Sequence, residues 1–426
     1  MDTIKLSAED IPIDRQITHD YETDRKNLMY MSGFKVNNDS NLKYILSKIY
    51  VYAIIFFYSF LVSMGSVAAI LIHDKKLKLE AVHWTFLNLV GLIFMVIRYT
   101  YVLDEPLKTI RTGFFTYENE FIDDRYLERK RYHVRRIRIV SNMFLGLAIS
   151  NGILLSFIKQ VKKSSEVGNY GKSINIGLPI PIFLPFDTTT TNGFVLGYLI
   201  NVVAFFYLVV ITSSAQQIFL SFMEQGIVQF EILNISISNI EKRAYYIYSK
   251  GKACAEGISI ELYRTRKFQN CISQCLRQNV RHHQTLLRFR NDIKTYVEAV
   301  FVLLILASIV VFAAIMFVIL ELQDLSEAST LFWLLSTEII YVFVVCIYGE
   351  LFSQESAKMF YALWDIPWWN FDKRNKVILH IMLSNSMNPV VINAPFFSSN
   401  MSLESFGDIM ARAYQFMSVV RNVDRK

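Results

Sequence analysis

Groups that could do chemistry are few in this 426-residue sequence, and they form no familiar catalytic or metal-binding pattern. The strongest candidates are Cys271 and Cys275, one helical turn apart, followed by His282 and His283. Thiols and imidazoles bind zinc, but this spacing does not match a common zinc pattern. The sequence also lacks a Gly-rich phosphate loop, a His/Glu metal motif and a nucleophile elbow. We therefore expect neither an enzyme nor a bound cofactor.

A second group of polar residues interrupts the long apolar runs. It comprises Arg98, Glu298, Glu321, Glu338, Glu350, Asp408 and Arg412. Ionisable residues inside a membrane are costly and mark substrate or ion paths, but a transporter or pump usually needs more of them near the bilayer centre. Asp408 and Arg412 lie one turn apart and can pair along a helix. These residues therefore argue against a transporter.

The C-terminal stretch 401–423, MSLESFGDIMARAYQFMSVVRNV, has a helix pattern without proline. Ile409, Arg412, Phe416, Val419 and Val423 recur every three or four residues, which predicts one helical face. A face that mixes apolar and polar side chains could border a water path. Most stripes of this kind pack inside a helix bundle instead. The residues alone leave both interpretations open.

Composition indicates the elements that position these residues. The chain is 53% hydrophobic, and its charged residues lie mostly between apolar runs long enough for the ~20 residues that cross a bilayer. We predict an all-α polytopic membrane protein with seven transmembrane helices. The predicted spans are 42–72, 81–103, 139–158, 192–220, 296–322, 328–352 and 401–423. The net charge of +7 fits anionic lipid headgroups of the bilayer, not nucleic acid.

Basic residues predict the orientation of these spans. With the N-terminus inside, inner segments carry 20 Lys and Arg and outer segments carry 10, after the long segment 221–295 is left out. This orientation, with the C-terminus outside, disfavours a G-protein-coupled receptor. Within 221–295, Phe230, Leu233, Ile237 and Ile240 recur at helical spacing, which predicts cytosolic helical extensions. A shorter amphipathic helix is predicted at 376–384.

Several motifs in the final third resemble the insect odorant receptor family. They are GELFSQESAKMFYALW, HIMLSNSMNPVVINAPFFSSNMSLESF and the AYxF pattern near the C-terminus, and LPIPIFLPFD resembles the family's second extracellular loop. The likeness covers about the last eighty residues well. The last-helix signature of the related gustatory receptors is absent, because Tyr414, Gln415 and Phe416 are contiguous.

The resemblance implies a ligand-gated, non-selective cation channel subunit in the plasma membrane, opened by a small volatile organic molecule. It also implies a heterotetramer with a shared co-receptor subunit. The hydrophobic gate then falls on Val419 and Val423, with the polar position between them at Asn422. We expect the neighbouring Arg421 to point away from the pore. Residues 1–352 would hold the cytosolic N-terminus, spans one to six and the ligand-binding outer half; residues 353–426 would hold a cytosolic anchor helix and the pore-lining last helix.

By the same resemblance, the ligand would lie in a mainly aromatic cavity between the outer halves of spans two, three, four and six. The residues that these halves offer are Trp84, Leu87, Asn88, Asn151, Leu154, Phe157, Tyr198, Asn201, Val202, Phe205, Phe332, Leu335 and Ser336. An amide inside the membrane needs a partner on another helix or on a ligand. Asn88, Asn151 and Asn201 are therefore the stronger candidates.

Three other classes of protein compete with this interpretation. A gustatory-type channel that works as a homomer would conduct when expressed alone. A metabotropic receptor is disfavoured by the predicted orientation. A transporter is disfavoured by the scarce intramembrane charge and the lack of visible inverted repeats.

Overall fold

The structure, a computed structural model, describes residues 41–100, 104–115, 117, 124–162, 172–175, 177–250, 258–321, 325–394 and 399–424, with some helical side chains in these ranges left undescribed. These ranges form helices α1 (Asn41–Leu71), α2 (Lys75–Thr100), α3 (Asp104–Thr112), α4 (Asp124–Lys162), α5 (Thr191–Ser238), α6 (Ile240–Tyr248), α7 (Ile260–Tyr263), α8 (Arg266–Glu321), α9 (Leu325–Asp365), α10 (Lys373–Ser386) and α11 (Leu403–Asp424). A 3₁₀ turn at Trp368–Asn370 and a two-residue antiparallel pair, β1 (Asn393–Ala394) with β2 (Ser399–Asn400), complete the described elements. The predicted all-α class is confirmed.

Five helices contain segments that are long and apolar enough to cross a membrane, within the ranges that the structure describes. These segments are Lys48–Leu71, Glu80–Ile97, Thr191–Ser238, Arg266–Met316 and Leu331–Asp365. They coincide with predicted spans one, two, four, five and six. The third predicted span lies in α4, whose side chains beyond Asn151 are undescribed. The seventh lies in α11, which carries Glu404, Asp408 and Arg412. The count of seven and the orientation stay predictions.

Two helices are much longer than a bilayer is thick. With 48 residues in α5 and 56 in α8, they extend about 72 and 84 Å at 1.5 Å per residue, against an apolar bilayer core of about 30 Å. Their excess lengths pack together with α6, α7 and α10 at one end of the bundle, which we name the extended end. Phe230, Leu233 and Ile237 are buried there, so the predicted helical periodicity of this polar region is confirmed.

Helix α8 is the centre of the packing, since it contacts α2, α3, α5, α6, α7, α9, α10 and α11. Aromatic rings join it to its neighbours. The ring of Phe222 on α5 makes edge-to-face contacts with Phe289 and Tyr296 on α8, at centroid distances of 6.1 and 6.0 Å. Such geometry adds to the stabilisation that burial of apolar area provides. The extended end is therefore held by a continuous apolar core.

The opposite end, which we name the loop end, is closed by residues 177–190. The apolar side chains of Leu178, Ile180, Ile182 and Leu184 are buried against Trp84 and Ala204. Backbone bonds hold this loop to the chain before it, with Thr188 N donating to Lys172 O at 2.8 Å. The loop leads into α5, where the Thr190 side chain accepts from Gly193 N and caps the helix.

The C-terminal helix α11 packs against α8 and α9 along a single line of residues. Ser405, Ile409, Ala413 and Met417 recur every four residues and are buried. The sequence predicted that Ile409 shares a face with Arg412, Phe416 and Val419. Ile409 is instead buried in the bundle, so the prediction is wrong for this residue. The buried line through Ile409 packs on α8 and α9, and the side chains of Arg412, Phe416 and Val419 are exposed.

Candidate functional site

A cavity of about 180 Å³ lies between α2, α4, α5, α8 and α9. The residues that line it are Trp84, Leu87, Val90, Phe94, Phe144, Leu147, Ala148, Asn151, Phe205, Leu208, Val209, Thr212, Gln216, Leu304, Ala307, Ser308, Val311, Leu334, Thr337, Glu338 and Tyr341. Its walls are mainly apolar, and the rings of Phe144 and Tyr341 meet edge-to-face at 5.4 Å. A cavity of about 150 Å³ with apolar walls can hold a molecule the size of benzene. The space therefore suits a small apolar or aromatic ligand.

Most hydroxyls around the cavity are occupied by their own helices. Ser308 Oγ donates to Leu304 O at 2.7 Å, and Thr212 Oγ1 donates to Leu208 O at 2.8 Å. Bonds of this kind satisfy the hydroxyl hydrogen locally. These two side chains therefore present methyl or methylene surface and oxygen lone pairs to the cavity, and no free donor.

Asn151 links α4 to α9 at the cavity wall. Its Nδ2 donates to Thr337 Oγ1 at 3.0 Å, and Thr337 Oγ1 in turn donates to Leu334 O at 2.8 Å. The Asn151 Oδ1 atom receives no hydrogen bond from the described residues, and it is buried so fully that it offers no surface to the cavity. Asn151 therefore ties α4 to α9 beside the cavity and gives a guest no free acceptor.

Glu338, the residue after Thr337, also lines the cavity. Among the side chains that the structure describes, its carboxyl group has neither a hydrogen-bond partner nor an ion-pair partner. The helix that carries it, α9, contains one of the segments apolar enough to cross a membrane. The sequence singled out Glu338 as one of few charges in the spans but did not predict that it lines a cavity.

Four of the thirteen predicted ligand residues line this cavity: Trp84, Leu87, Asn151 and Phe205. Asn88 and Asn201 are buried outside it and donate from Nδ2 to carbonyls of their own helices, Trp84 O and Gly197 O, each at 2.9 Å. Helix-internal bonding thus partly satisfies both amides.

The remaining predicted residues lie elsewhere. Tyr198 packs on the loop-end cluster, Leu335 packs against the main core, and Ser336 Oγ bonds to Phe332 O. Val202 and Phe332 point away from the bundle, with 46% and 64% of their surfaces exposed. The side chains of Leu154 and Phe157 lie outside the described residues.

The sequence prediction omitted a whole wall of the cavity. Leu304, Ala307, Ser308 and Val311 come from α8, which was predicted as span five but not as a ligand-binding span. The segment is apolar on every side, so no amphipathic pattern distinguishes its cavity face from its other faces. The polar Ser308 is the one signal in this stretch that could have indicated it.

One stripe of the exposed surface of α11 is polar for most of its length, and apolar side chains, Tyr414 among them, are exposed beside it. Glu404, Asp408, Arg412, Gln415 and Val419 share this stripe by helical spacing and are all exposed. Within the described residues Asp408 and Arg412 form no ion pair, so their predicted pairing is not observed. The side chains of Arg421, Asn422 and Val423 lie outside the described residues.

The cysteine and histidine cluster does not form a metal site in the described part of the chain, where no three His, Cys, Asp or Glu side chains come together suitably. His282 is instead held by hydrogen bonds, with Nδ1 2.7 Å from Tyr117 Oη and Nε2 3.0 Å from Gln229 Oε1. Cys275 is buried as a free thiol. The fourth cysteine, Cys254, lies outside the described residues.

Comparison with curated proteins finds partial relatives. The chain is 22% identical to odorant receptor 22c of Drosophila melanogaster over 166 residues, which cover 39% of this chain and 40% of that protein. It is 29% identical to odorant receptor 67c of the same species over 87 residues, covering 20% of this chain and 21% of that protein. The matched segments thus span less than half of each relative's length.

Comparison with solved structures covers nearly the whole fold. The insect olfactory receptor OR5 from Machilis hrabei superposes with a TM-score of 0.74 at 14% identity, covering 96% of this chain and 100% of that one. The same receptor in complex with eugenol superposes with a TM-score of 0.72. Finally, the family model described as 7tm Odorant receptor matches residues 114–414, more than half of the chain. This confirms the resemblance seen in the sequence motifs, and the chain belongs to the 7tm odorant receptor family.

Proposed function

We propose that this odorant receptor is a subunit of a ligand-gated, non-selective cation channel, opened by a small volatile organic molecule. It acts in the plasma membrane of a sensory neuron, as a heterotetramer with a shared co-receptor subunit. Its N-terminus lies inside the cell and its C-terminus outside. Family membership supports the receptor function and a membrane location.

One observation carries the channel proposal: the polar stripe on the exposed surface of α11. In a single chain inside a membrane, this stripe meets either lipid or water. Charged side chains such as Asp408 and Arg412 are costly against lipid but not beside a water-filled axis. Copies of one helix around an axis form a ring. The face of α11 that is not packed on α8 and α9 therefore suits the wall of a shared pore.

The gate would lie where this face turns apolar. Val419 is 59% exposed in the single chain, one turn beyond Gln415. A narrow ring of valine side chains stops ions by excluding water, and widening it admits them. We propose Val419 and Val423 as this ring and Asn422 as the polar position near the outer mouth. A ligand opens such a gate only if it binds the open state more tightly.

The cavity between α2, α4, α5, α8 and α9 is the proposed ligand site. Its apolar walls and its size suit a compact volatile molecule. The eugenol complex of the Machilis receptor, a relative in fold, is consistent with a small aromatic ligand. Trp84, Leu87, Asn151 and Phe205 remain proposed ligand contacts.

The proposed contact between subunits lies at the extended end, within residues 353–426. Large apolar side chains are exposed there on α9, the 3₁₀ turn and α10: Tyr361, Trp364, Trp369, Val377 and Ile381. Aromatic residues are common anchors of protein interfaces. Since α5 and α8 carry this end well beyond the bilayer thickness, neighbouring subunits can meet there without lipid between them.

Whole-cell current during exposure to a panel of volatiles tests the proposal. The chain is expressed alone, with a co-receptor, and with a co-receptor after Val419→Ala. We expect rapid evoked current only from the pair, and altered leak or ion permeation in the variant. Val202→Ala, an exposed valine outside the cavity and outside α11, is the matched control and should leave leak and permeation unchanged.

Two other outcomes would redirect the proposal. Evoked current from the chain alone would indicate a gustatory-type homomeric channel. Absence of current in every combination, with surface expression confirmed by labelling, would contradict the channel proposal and favour a metabotropic receptor or a transporter.

A further inference from the structure

We propose that the cavity selects ligands bearing a protonated amine, through Glu338. The inference rests on the proposed function, since it names the chemical class of ligand that the receptor's cavity takes. It is drawn from the hydrogen-bonding groups that the cavity presents and from the partners that they lack.

The cavity presents a carboxyl group without a partner, because the two Glu338 oxygens form no hydrogen bond and no ion pair with the described side chains. The nearby hydroxyl hydrogens of Thr337 and Ser308 are already donated to backbone carbonyls. Gln216 and Tyr341 also line the cavity with donors, but neither bonds to Glu338 in the described part of the chain. A guest that pairs with Glu338 must therefore bring its own donor.

The charged residues of the lining restrict the class of ligand further. The described lining contains a carboxyl group and no lysine or arginine. A carboxyl group removed from water ionises favourably only beside a cation and hydrogen-bond donors. An alkylammonium group supplies both, because it has three N–H donors and one positive charge. A neutral alcohol brings one donor and no charge, and an aldehyde or a hydrocarbon brings neither.

The aromatic residues of the lining suit the hydrocarbon part of such an amine. Trp84, Phe94, Phe144, Phe205 and Tyr341 are among the lining residues. Aromatic faces contact both hydrocarbon and the methylene next to an ammonium group favourably. A compact aromatic or branched aliphatic amine matches an apolar cavity of this size with a single anionic position.

Four probes that share a benzene ring and differ in its substituent test this proposal: benzylamine, benzyl alcohol, benzaldehyde and toluene, of which toluene has no polar group. Binding to the purified full-length receptor is measured near neutral pH by isothermal titration calorimetry. We expect benzylamine to bind at least about tenfold more tightly than benzyl alcohol, as a charge-assisted hydrogen bond is worth more than a neutral one. Glu338→Gln should abolish this preference and leave toluene binding unchanged.

Glu350→Gln is the matched control, because it removes a carboxylate from the same helix outside the cavity. Glu350 Oε1 accepts from Gln354 Nε2 at an exposed position. This variant should keep the preference for benzylamine. If Glu338→Gln does not fold, Glu338→Leu replaces it, and the same loss of the preference is expected because the charge is removed.

The binding readout separates the two proposals. Tighter benzylamine binding, together with no current evoked by any volatile in any combination of subunits, would support the amine site and contradict the channel. Equal or weaker binding of benzylamine than of benzyl alcohol or benzaldehyde would overturn the amine site, whatever current the neutral probes evoke. Unchanged preference in Glu338→Gln would overturn it as well.

Discussion

The Nδ1 atom of His133 lies 2.5 Å from Glu224 Oε1, where α4 packs against α5. The second ring nitrogen, Nε2, lies 2.9 Å from Glu231 Oε2. Because ionised carboxylates only accept hydrogen bonds, both nitrogens carry a proton and His133 is an imidazolium. Arg136 joins the cluster, with Nε 2.7 Å from the same Glu224 oxygen. The cluster joins α4 to α5 through paired charges.

The first prediction concerns the pH dependence of stability. Burial lowers the pKa of His133, but its hydrogen bonds to Glu224 and Glu231 outweigh burial, and the pKa is raised overall. A raised pKa means that the imidazolium stabilises the fold fully below its unfolded pKa of about 6.5, and that this stabilisation is lost as pH rises through the higher folded value. His133→Gln should remove this component from melting curves recorded between about pH 6 and pH 9.

The control for that experiment is His380→Gln, since His380 lies exposed on α10. It should retain the wild-type dependence of melting temperature on pH. If His133→Gln and the wild-type protein lose stability in parallel as the pH rises, the imidazolium assignment is wrong.

The second prediction concerns the buried carboxylate. Glu224→Gln removes the charge that faces both His133 and Arg136, and the Glu224 side chain is fully buried. Removing one partner of a buried charge pair typically costs about 3–5 kcal/mol. Glu231→Gln should cost less, because Glu231 is partly exposed. Equal melting temperatures for the two variants in detergent would contradict this ranking.

The sequence predicted helices better than it predicted their faces. Apolar runs and the spacing of Phe230, Leu233 and Ile237 located the long helices, since both signals depend on local periodicity. In a membrane helix the lipid-facing and bundle-facing sides are equally apolar. Val202 and Phe332 therefore could not be told from Phe205, which lines the cavity, by hydropathy.

Polar residues were the more informative signal for the site, but the structure was needed to tell which of them line the cavity. Asn88, Asn151 and Asn201 looked alike in the sequence, and only Asn151 lines the cavity. Asn88 and Asn201 bond to carbonyls four residues earlier, which any helical asparagine can do. The cross-helix bond of Asn151 to Thr337 depends on tertiary packing that no local pattern encodes.

The third prediction concerns the attachment of the C-terminal helix. A Cβ atom at Gly349 on α9 would overlap the side chain and carbonyl oxygen of Met401, just before α11. Because a backbone atom cannot move aside cheaply, Gly349→Ala should displace the start of α11 and lower the melting temperature. Gly146→Ala on α4 is the control, since nothing lies within 4 Å of the added carbon.

Limited proteolysis distinguishes the two glycine variants further. We expect faster cleavage between α10 and α11 in Gly349→Ala and no change in Gly146→Ala. An unchanged cleavage rate in Gly349→Ala would contradict the close approach of α9 to Met401.

The fourth prediction compares two neighbouring aromatic residues on α5. Phe205 lines the cavity, whereas Phe206 is largely exposed. Phe205→Ala enlarges the cavity and removes ring contacts, so the half-maximal concentration of a benzene-sized activator should rise by about tenfold or more. Phe206→Ala should leave it within about twofold. The measurement is a dose–response curve of evoked current, and similar shifts in both variants would contradict the assigned faces.

The most direct test of the ligand site is to occupy the cavity covalently. Ala307 lines it from α8, and Ala307→Cys introduces a thiol that benzyl methanethiosulfonate can modify, with the wild-type chain as control for native cysteines. In receptors assembled with the co-receptor, we predict that an activating volatile slows the modification and that modification abolishes the response to that volatile. A modification rate unaffected by saturating volatile, together with an unchanged response afterwards, would contradict the assignment of this cavity as the site that opens the channel.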